Sequence, residues 1–227
     1  GTASVTVTEP SIALIAPNGG ETWTVGTSAS VAWTSTGVVG NVDIDLSTDG
    51  AIFWTPLVSN TANDGSEIIT VPNTPSTTSR IRVKQTSQGS PFGISTANFR
   101  IVNPNQPPTI TTAAAANPSP VTGTSTNLSV LGSDDGGEAA LTYTWTATAK
   151  PSGAADPTYS ANGTNAAKNI TATFSQAGAY AFQVTVRDAG NLTATSSVNI
   201  TVNQTLTTVA VATSSASVAA GGTVQFT

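Results

Sequence analysis

The stretch 17–33, PNGGETWTVGTSASVAW, limits what this chain can fold into more than any other. Asn18, Gly19 and Gly20 form a turn signal, Trp23 and Val25 alternate with polar residues, Gly26 interrupts, and Ala29, Val31 and Trp33 alternate again. Alternation puts every second side chain on one face of an extended strand, so the stretch predicts a β-hairpin with large aromatics on one side. A two-stranded unit cannot bury Trp23 and Trp33 alone. It needs a second sheet packed over it, which is the arrangement of a β-sandwich.

The rest of the chain repeats that grammar. Between residues 11 and 102, alternating segments at Ile12–Ala16, Thr22–Val25, Ser30–Trp33, Val42–Leu46, Glu67–Val71, Arg80–Val83 and Asn98–Ile101 predict about seven short strands. Breaks such as Asp49-Gly50, Asn63-Asp64-Gly65 and Gly89-Ser90-Pro91 separate them, and no apolar residues recur with helical period. Residues 103–108, NPNQPP, read as a short Pro-rich linker whose closely spaced prolines hold it extended and restrict domain motion. Residues 109–203 read as a second sandwich, with strands at Thr109-Ile110, Thr126–Val130, Leu141–Trp145, Ala172–Phe174, Tyr180–Val186 and Ser197–Val202, and with Trp145 and Phe182 as core anchors. Residues 1–10 read as the closing strand of a preceding module or an arm, and 204–227 as the opening strands of a further one. The fold class is thus all-β, tandem sandwiches joined by a short Pro-rich linker, in a chain whose 227 residues suffice for two cores.

Composition removes whole classes of chemistry. The chain has no Cys, His or Met, which excludes thiolate and imidazole metal sites, Ser-His-Asp and Cys-His nucleophiles, and disulfides. Only 8% of residues are charged, so solubility rests on hydroxyl and amide side chains. A net charge of -5, with seven Lys and Arg scattered along the sequence, argues against nucleic acid as a partner. No apolar run approaches the ~20 residues of a spanning helix, so no membrane insertion is expected. The sequence shows neither a start Met nor a signal peptide and reads as a mature or excised fragment, so export is an expectation from module type rather than from a targeting segment.

Three resemblances sharpen this reading. PNGGETWTVGTSASVAWTS, followed by Val42–Gly50, Asn63-Asp64-Gly65, Ser79–Val83 and Asn98–Ile101, resembles an immunoglobulin-like module of the Ser-Thr-rich, glycosylphosphatidylinositol-anchored-family type. That resemblance implies a spacer or wall-associated accessory module and carries no catalytic residues. In the second half, NQPPTI, Gly132–Gly137, Leu141–Trp145, Gly178–Tyr180 and Val184–Gly190 resemble PKD-type and cadherin-like domains, although Thr146-Ala147-Thr148 replaces the Asp-Gly-rich segment that follows the tryptophan there. Leu206–Val211 and Gly221–Phe226 look like the start of a group 2 bacterial immunoglobulin-like domain. Together these imply a non-enzymatic segment of a secreted or cell-surface bacterial protein. Its partners would be neighbouring modules of the same chain; the alternatives are a carbohydrate-binding accessory module of a polysaccharide-degrading enzyme, with glycans as partners, and a subunit of an extracellular fibre assembled by strand exchange with further copies of itself.

Candidate sites are few. Asp134, Asp135 and Glu138 on a Gly-rich loop, with Asp188 on another, offer hard oxygen ligands for calcium, and the PKD and cadherin resemblance implies calcium near a domain end; solvated turn acids are the plainer reading. Phe53 and Trp54 are candidates for stacking against a sugar, since adjacent residues of a strand face opposite ways and one of the two must leave the core. The segment Ser47–Trp54 resembles the Asp-box hairpin of sialidase-type propellers, with Ala51 where that motif has Gly; a structural hairpin whose Trp54 packs inward is the alternative. Asp43 and Asp45 alternate with Val42, Ile44 and Leu46 and are expected on the wet face rather than in a glycosidase cleft.

Overall fold

The computed structural model describes residues 9–203. Apart from Glu9 and Pro10, the expected closing strand in 1–10 lies outside the described residues, as does the expected third module in 204–227. Regular structure among the described residues is β strand, broken only by two 3-10 turns at Glu138–Ala140 and Asn165–Lys168. The chain divides into two compact units, the first closing at Pro104 and the second opening at Asn105.

The first unit holds β1 (Ser11–Ala16), β2 (Thr22–Thr24), β3 (Ser28–Thr36), β4 (Val42–Ser47), β5 (Thr55–Thr61), β6 (Ser66–Thr70), β7 (Ser76–Gln85), β8 (Phe92–Ile94) and β9 (Phe99–Val102). One sheet runs β1-β3-β6 and the other β2-β9-β7-β4-β5, with β8 added to β7. Ile12, Leu14, Val31, Trp33 and Ile69 of the first sheet meet Trp23, Ile44, Ile81, Val83, Phe99 and Ile101 of the second in one buried cluster. The alternation of each strand therefore translates directly into one apolar face turned inward.

The stretch 17–33 folds differently from the hairpin expected of it. β2 pairs in parallel with β9, whereas β3 pairs with β1 and β6, so Trp23 and Trp33 reach the same core from opposite sheets. Gly26, at φ +79°, makes this crossing; its amide bonds to the Val71 carbonyl and Thr27 receives the amide of Val71. Alternation fixes which face of a strand is buried but not which strand lies beside it. Two further strands, β5 and β8, were not expected. β5 carries Pro56 and buries none of its residues fully, and β8 is three residues long with Gly93 at its centre. A Cβ on Gly93 would stand 2.8 Å from the Ile12 carbonyl oxygen, so only glycine lets β8 lie against β1.

The second unit holds β10 (Thr109–Asn117), β11 (Ser125–Ser133), β12 (Thr142–Ala149), β13 (Thr158–Tyr159), β14 (Asn169–Thr173), β15 (Gly178–Arg187) and β16 (Thr193–Val202). Its sheets run β10-β11-β14-β13 and β12-β15-β16. In chain order that is the A-B-E-D and C-F-G arrangement of a constant-type immunoglobulin sandwich. Trp145 on the C-equivalent strand is buried, with its Nε1 donating to the Ala167 carbonyl at 2.8 Å. Tyr180, near the start of the F-equivalent strand, donates its hydroxyl to the Gln176 carbonyl at 2.9 Å, the tyrosine-corner contact of such folds. Trp145 and Phe182 sit in the second buried cluster as expected of core anchors. The chain is therefore a tandem of immunoglobulin-like sandwiches. Residues 103–108 carry no strand, and Asn105 and Pro108 already belong to the second unit, the first bonded to Asp188 and the second buried.

Candidate functional site

The four proposed calcium ligands hold different posts. Asp188, 5% exposed, lies at the turn between β15 and β16, where one oxygen accepts from the Leu192 amide and the other from Asn105 Nδ2, both at 2.7 Å. Its carboxylate thus ties the start of the second unit to that turn. Asp134 accepts from the Gly136 amide at 2.9 Å through Oδ2, while its Oδ1 is shielded from solvent and has no hydrogen-bond partner. Asp135 is exposed and reaches the Gln106 amide at 3.4 Å.

Glu138 is engaged elsewhere. Lys168 Nζ contacts both its oxygens at 2.9 and 3.0 Å, and Tyr143 Oη and Asn165 Nδ2 donate to Oε1 at 3.0 and 3.1 Å. Among the described residues no group of three or more acidic side chains converges as a cation would require. The residues do not fit calcium in the four-carboxylate arrangement that the loop spacing suggested.

The Lys168 hydrogen bond holds the Glu138 carboxyl below the ordinary glutamate range; desolvation opposes this, and the Tyr143 and Asn165 hydrogen bonds add to it. A carboxyl whose folded value is depressed contributes stability that is fully present above its ordinary value and is lost as pH falls through the lowered one. In Glu138→Gln that acid-limb contribution is expected to disappear, so the melting temperatures of parent and variant should converge on acidification below pH ~4.5. Melts from pH 7 to 3 measure this.

The other candidate lies at the β4–β5 connection. Asp49 accepts from the amides of Ile52 and Phe53 at 3.1 Å, and Ser47 Oγ donates to Asp49 and accepts from the Ala51 amide. These bonds fix residues 48–54 as a loop, so Phe53 and Trp54 are not strand neighbours as expected. Phe53 stands 77% exposed. Trp54 is half-buried, but outside the core: the Arg82 guanidinium carbon lies 4.6 Å from its ring centroid. Ala51 is held at φ +78°, a conformation that costs a residue with a Cβ about 1–2 kcal/mol. Ala51→Gly should raise the first unit's stability by about 1 kcal/mol in a denaturant titration.

Asp45 corrects the expectation of a wet carboxylate. It is 2% exposed, and Oδ2 receives Arg82 Nη2 at 2.6 Å, Arg82 Nε at 3.0 Å and Lys84 Nζ at 2.9 Å. Asp43 is half-buried and accepts from the Asn60 amide and Thr86 Oγ1. The cause is the β4–β7 register, which sets Asp45 opposite Arg82 and Asp43 opposite Lys84. Nor are the cations scattered: Arg80, Arg82 and Lys84 alternate along β7, and Arg100 of β9 faces the same way, away from the core, so four of the chain's seven basic residues share one sheet face.

A family model described as the K319L-like PKD domain matches residues 114–202, from within β10 to the end of β16. Similar solved structures include the fibronectin(III)-like modules of Clostridium thermocellum CbhA, at 16% identity over 85% of this chain and 94% of that one, TM-score 0.34. The protocadherin fragment PcdhgB3 EC1-4 matches at 16% identity over 85% of this chain and 50% of that one, TM-score 0.43. The complex of Dpr11 IG1 with DIP-gamma IG+IG2 matches at 13% identity over 87% and 100%, TM-score 0.44. No curated protein matches the sequence. The fold assignment rests on strand order and register, and the PKD match falls on the unit whose Trp145 and Tyr180 carry the resemblance. A fold of this kind fits a structural or adhesive module. Among the described residues no helix is long and apolar enough to cross a membrane.

Proposed function

We propose that this chain is a non-catalytic segment of a secreted or cell-surface bacterial protein, in which tandem immunoglobulin-like modules space, stiffen or present neighbouring domains. The observation that carries the reading is serial organisation: two sandwiches, each with its own buried cluster, follow one another with Pro104 and Asn105 as adjoining residues. Polar side chains that could attract a chemical reading support the scaffold instead, Asp188 and Asp49 by pinning turns and Glu138 by tying the loop at 138–140 to the turn at 165–168.

Single-molecule stretching tests this. A spacer should give one abrupt unfolding event per unit, each releasing on the order of 300 Å for a module of about a hundred residues. A chain that extends without discrete events cannot carry load and would remove this reading. A second reading, carbohydrate binding, is supported by the exposed Phe53 and the half-covered Trp54. Polysaccharide retardation in native gels, lost in Trp54→Ala with folding retained, is its expected signature.

A further inference from the structure

We infer that the outer face of the sheet containing β7 docks an acidic polysaccharide whose sugar rings carry carboxylates. The inference rests on the sugar-binding reading and gives it a ligand class and a different set of residues.

Charge distribution comes first. The chain has a net charge of -5, yet Arg80, Arg82, Lys84 and Arg100, four of its seven cations, lie on this one face. The acids among them are Asp43 and Asp45, so the face is positive on an acidic molecule. Glu21, just before β2, gives both oxygens to the amides of Asn18 and Gly19.

The cations are also incompletely neutralised. Asp45 alone answers both Arg82 and Lys84, each 24% exposed. Arg80 donates to neutral acceptors, the Asn98 side chain and the Ser95 carbonyl, and Arg100 is exposed with no carboxylate in ion-pair range among the described residues. At Arg80 and Arg100 a polyanion gains attraction without first breaking a matched pair.

Aromatic rings flank these charges. Arg82 lies over Trp54, and Lys84 is directly opposite Phe92 in the β7–β8 register, with Phe92 52% exposed. Directly paired residues of two strands project from the same face. A uronic sugar offers the matching contacts: a C–H face for the ring and a carboxylate for the neighbouring cation. Asp45 holds the two cationic heads in place beforehand, which lowers the ordering cost of binding. Cations at alternate strand positions recur about every 7 Å.

The test is titration of the full chain with polygalacturonate, its neutral methyl ester and single-stranded DNA, at low and physiological salt. The expected result is salt-sensitive binding of polygalacturonate and none of the ester. Affinity should fall about tenfold or more in the Lys84→Gln, Arg100→Gln double variant and in Phe92→Ala, with parental melting curves. Equal binding of acid and ester overturns the acidic-ligand inference while the sugar-binding reading stands. Absence of binding to either polysaccharide overturns both. DNA bound as tightly as polygalacturonate overturns the glycan assignment, and parental affinity in the variants overturns the choice of face.

Discussion

Replacing Trp145 by alanine is expected to cost the second unit about 3–5 kcal/mol, the usual range for a large aromatic removed from a close-packed interior. Trp145 is 1% exposed, lies opposite Val184 in the β12–β15 pair, and belongs to a cluster that includes Tyr143, Phe182 and Val184. Its loss opens a void that the paired strands cannot close without giving up register, and it strands the Ala167 carbonyl that now accepts from Nε1. For a domain of about a hundred residues this corresponds to a fall in melting temperature on the order of 20 °C. Trp145→Phe keeps most of the apolar contact and should lose roughly a third as much. Hydrogen exchange followed by mass spectrometry assigns the damage: protection should fall in β11, β12, β14 and β15 and persist in β3, β4 and β7. Equal loss in both units would mean that the cores are not separate.

Asp45→Ala is expected to destabilise the first unit by about 3 kcal/mol, because removing one partner of a buried ion pair leaves the other without compensation. Here two cations remain, Arg82 and Lys84, held on one sheet face by the β4–β7 register. Their partial exposure lets water recover some of the loss, which places the effect at the lower end of the usual range. Lys84→Gln leaves both Arg82 hydrogen bonds to Asp45 Oδ2 intact and should cost less than about 1 kcal/mol. A denaturant series on these variants checks the ordering. An Asp45 variant as stable as Lys84→Gln would show that the carboxylate is not what organises the face.

Much of this fold was legible because side-chain alternation is a direct record of which strand face is buried. Val31, Trp33, Trp145, Phe182 and Val184 all point inward as their spacing requires. Partnership was not legible: Trp23 and Trp33, ten residues apart, look like a hairpin pair, yet a chain crossing between sheets produces the same pattern. Asp45 shows a second limit. Alternation placed it correctly on the face away from the core, but the long side chains of Arg82 and Lys84 from β7 close over it and bury it. The run Arg80, Arg82, Lys84 was visible at alternate positions, and only the β9 pairing adds Arg100 to the same surface. Glu138 was grouped with Asp134 and Asp135 by proximity in sequence, whereas its partner Lys168 lies 30 residues further along.

The account depends most on each unit enclosing its own core, since residues 12–101 supply one buried cluster and 121–202 the other. Producing residues 9–104 and 105–203 as separate chains and following denaturant unfolding of each by circular dichroism tests that directly. Two cooperative transitions from β-rich native states are predicted, each with a denaturant dependence proportionate to its length. A fragment that is unfolded without denaturant, or that melts without cooperativity, would contradict the account.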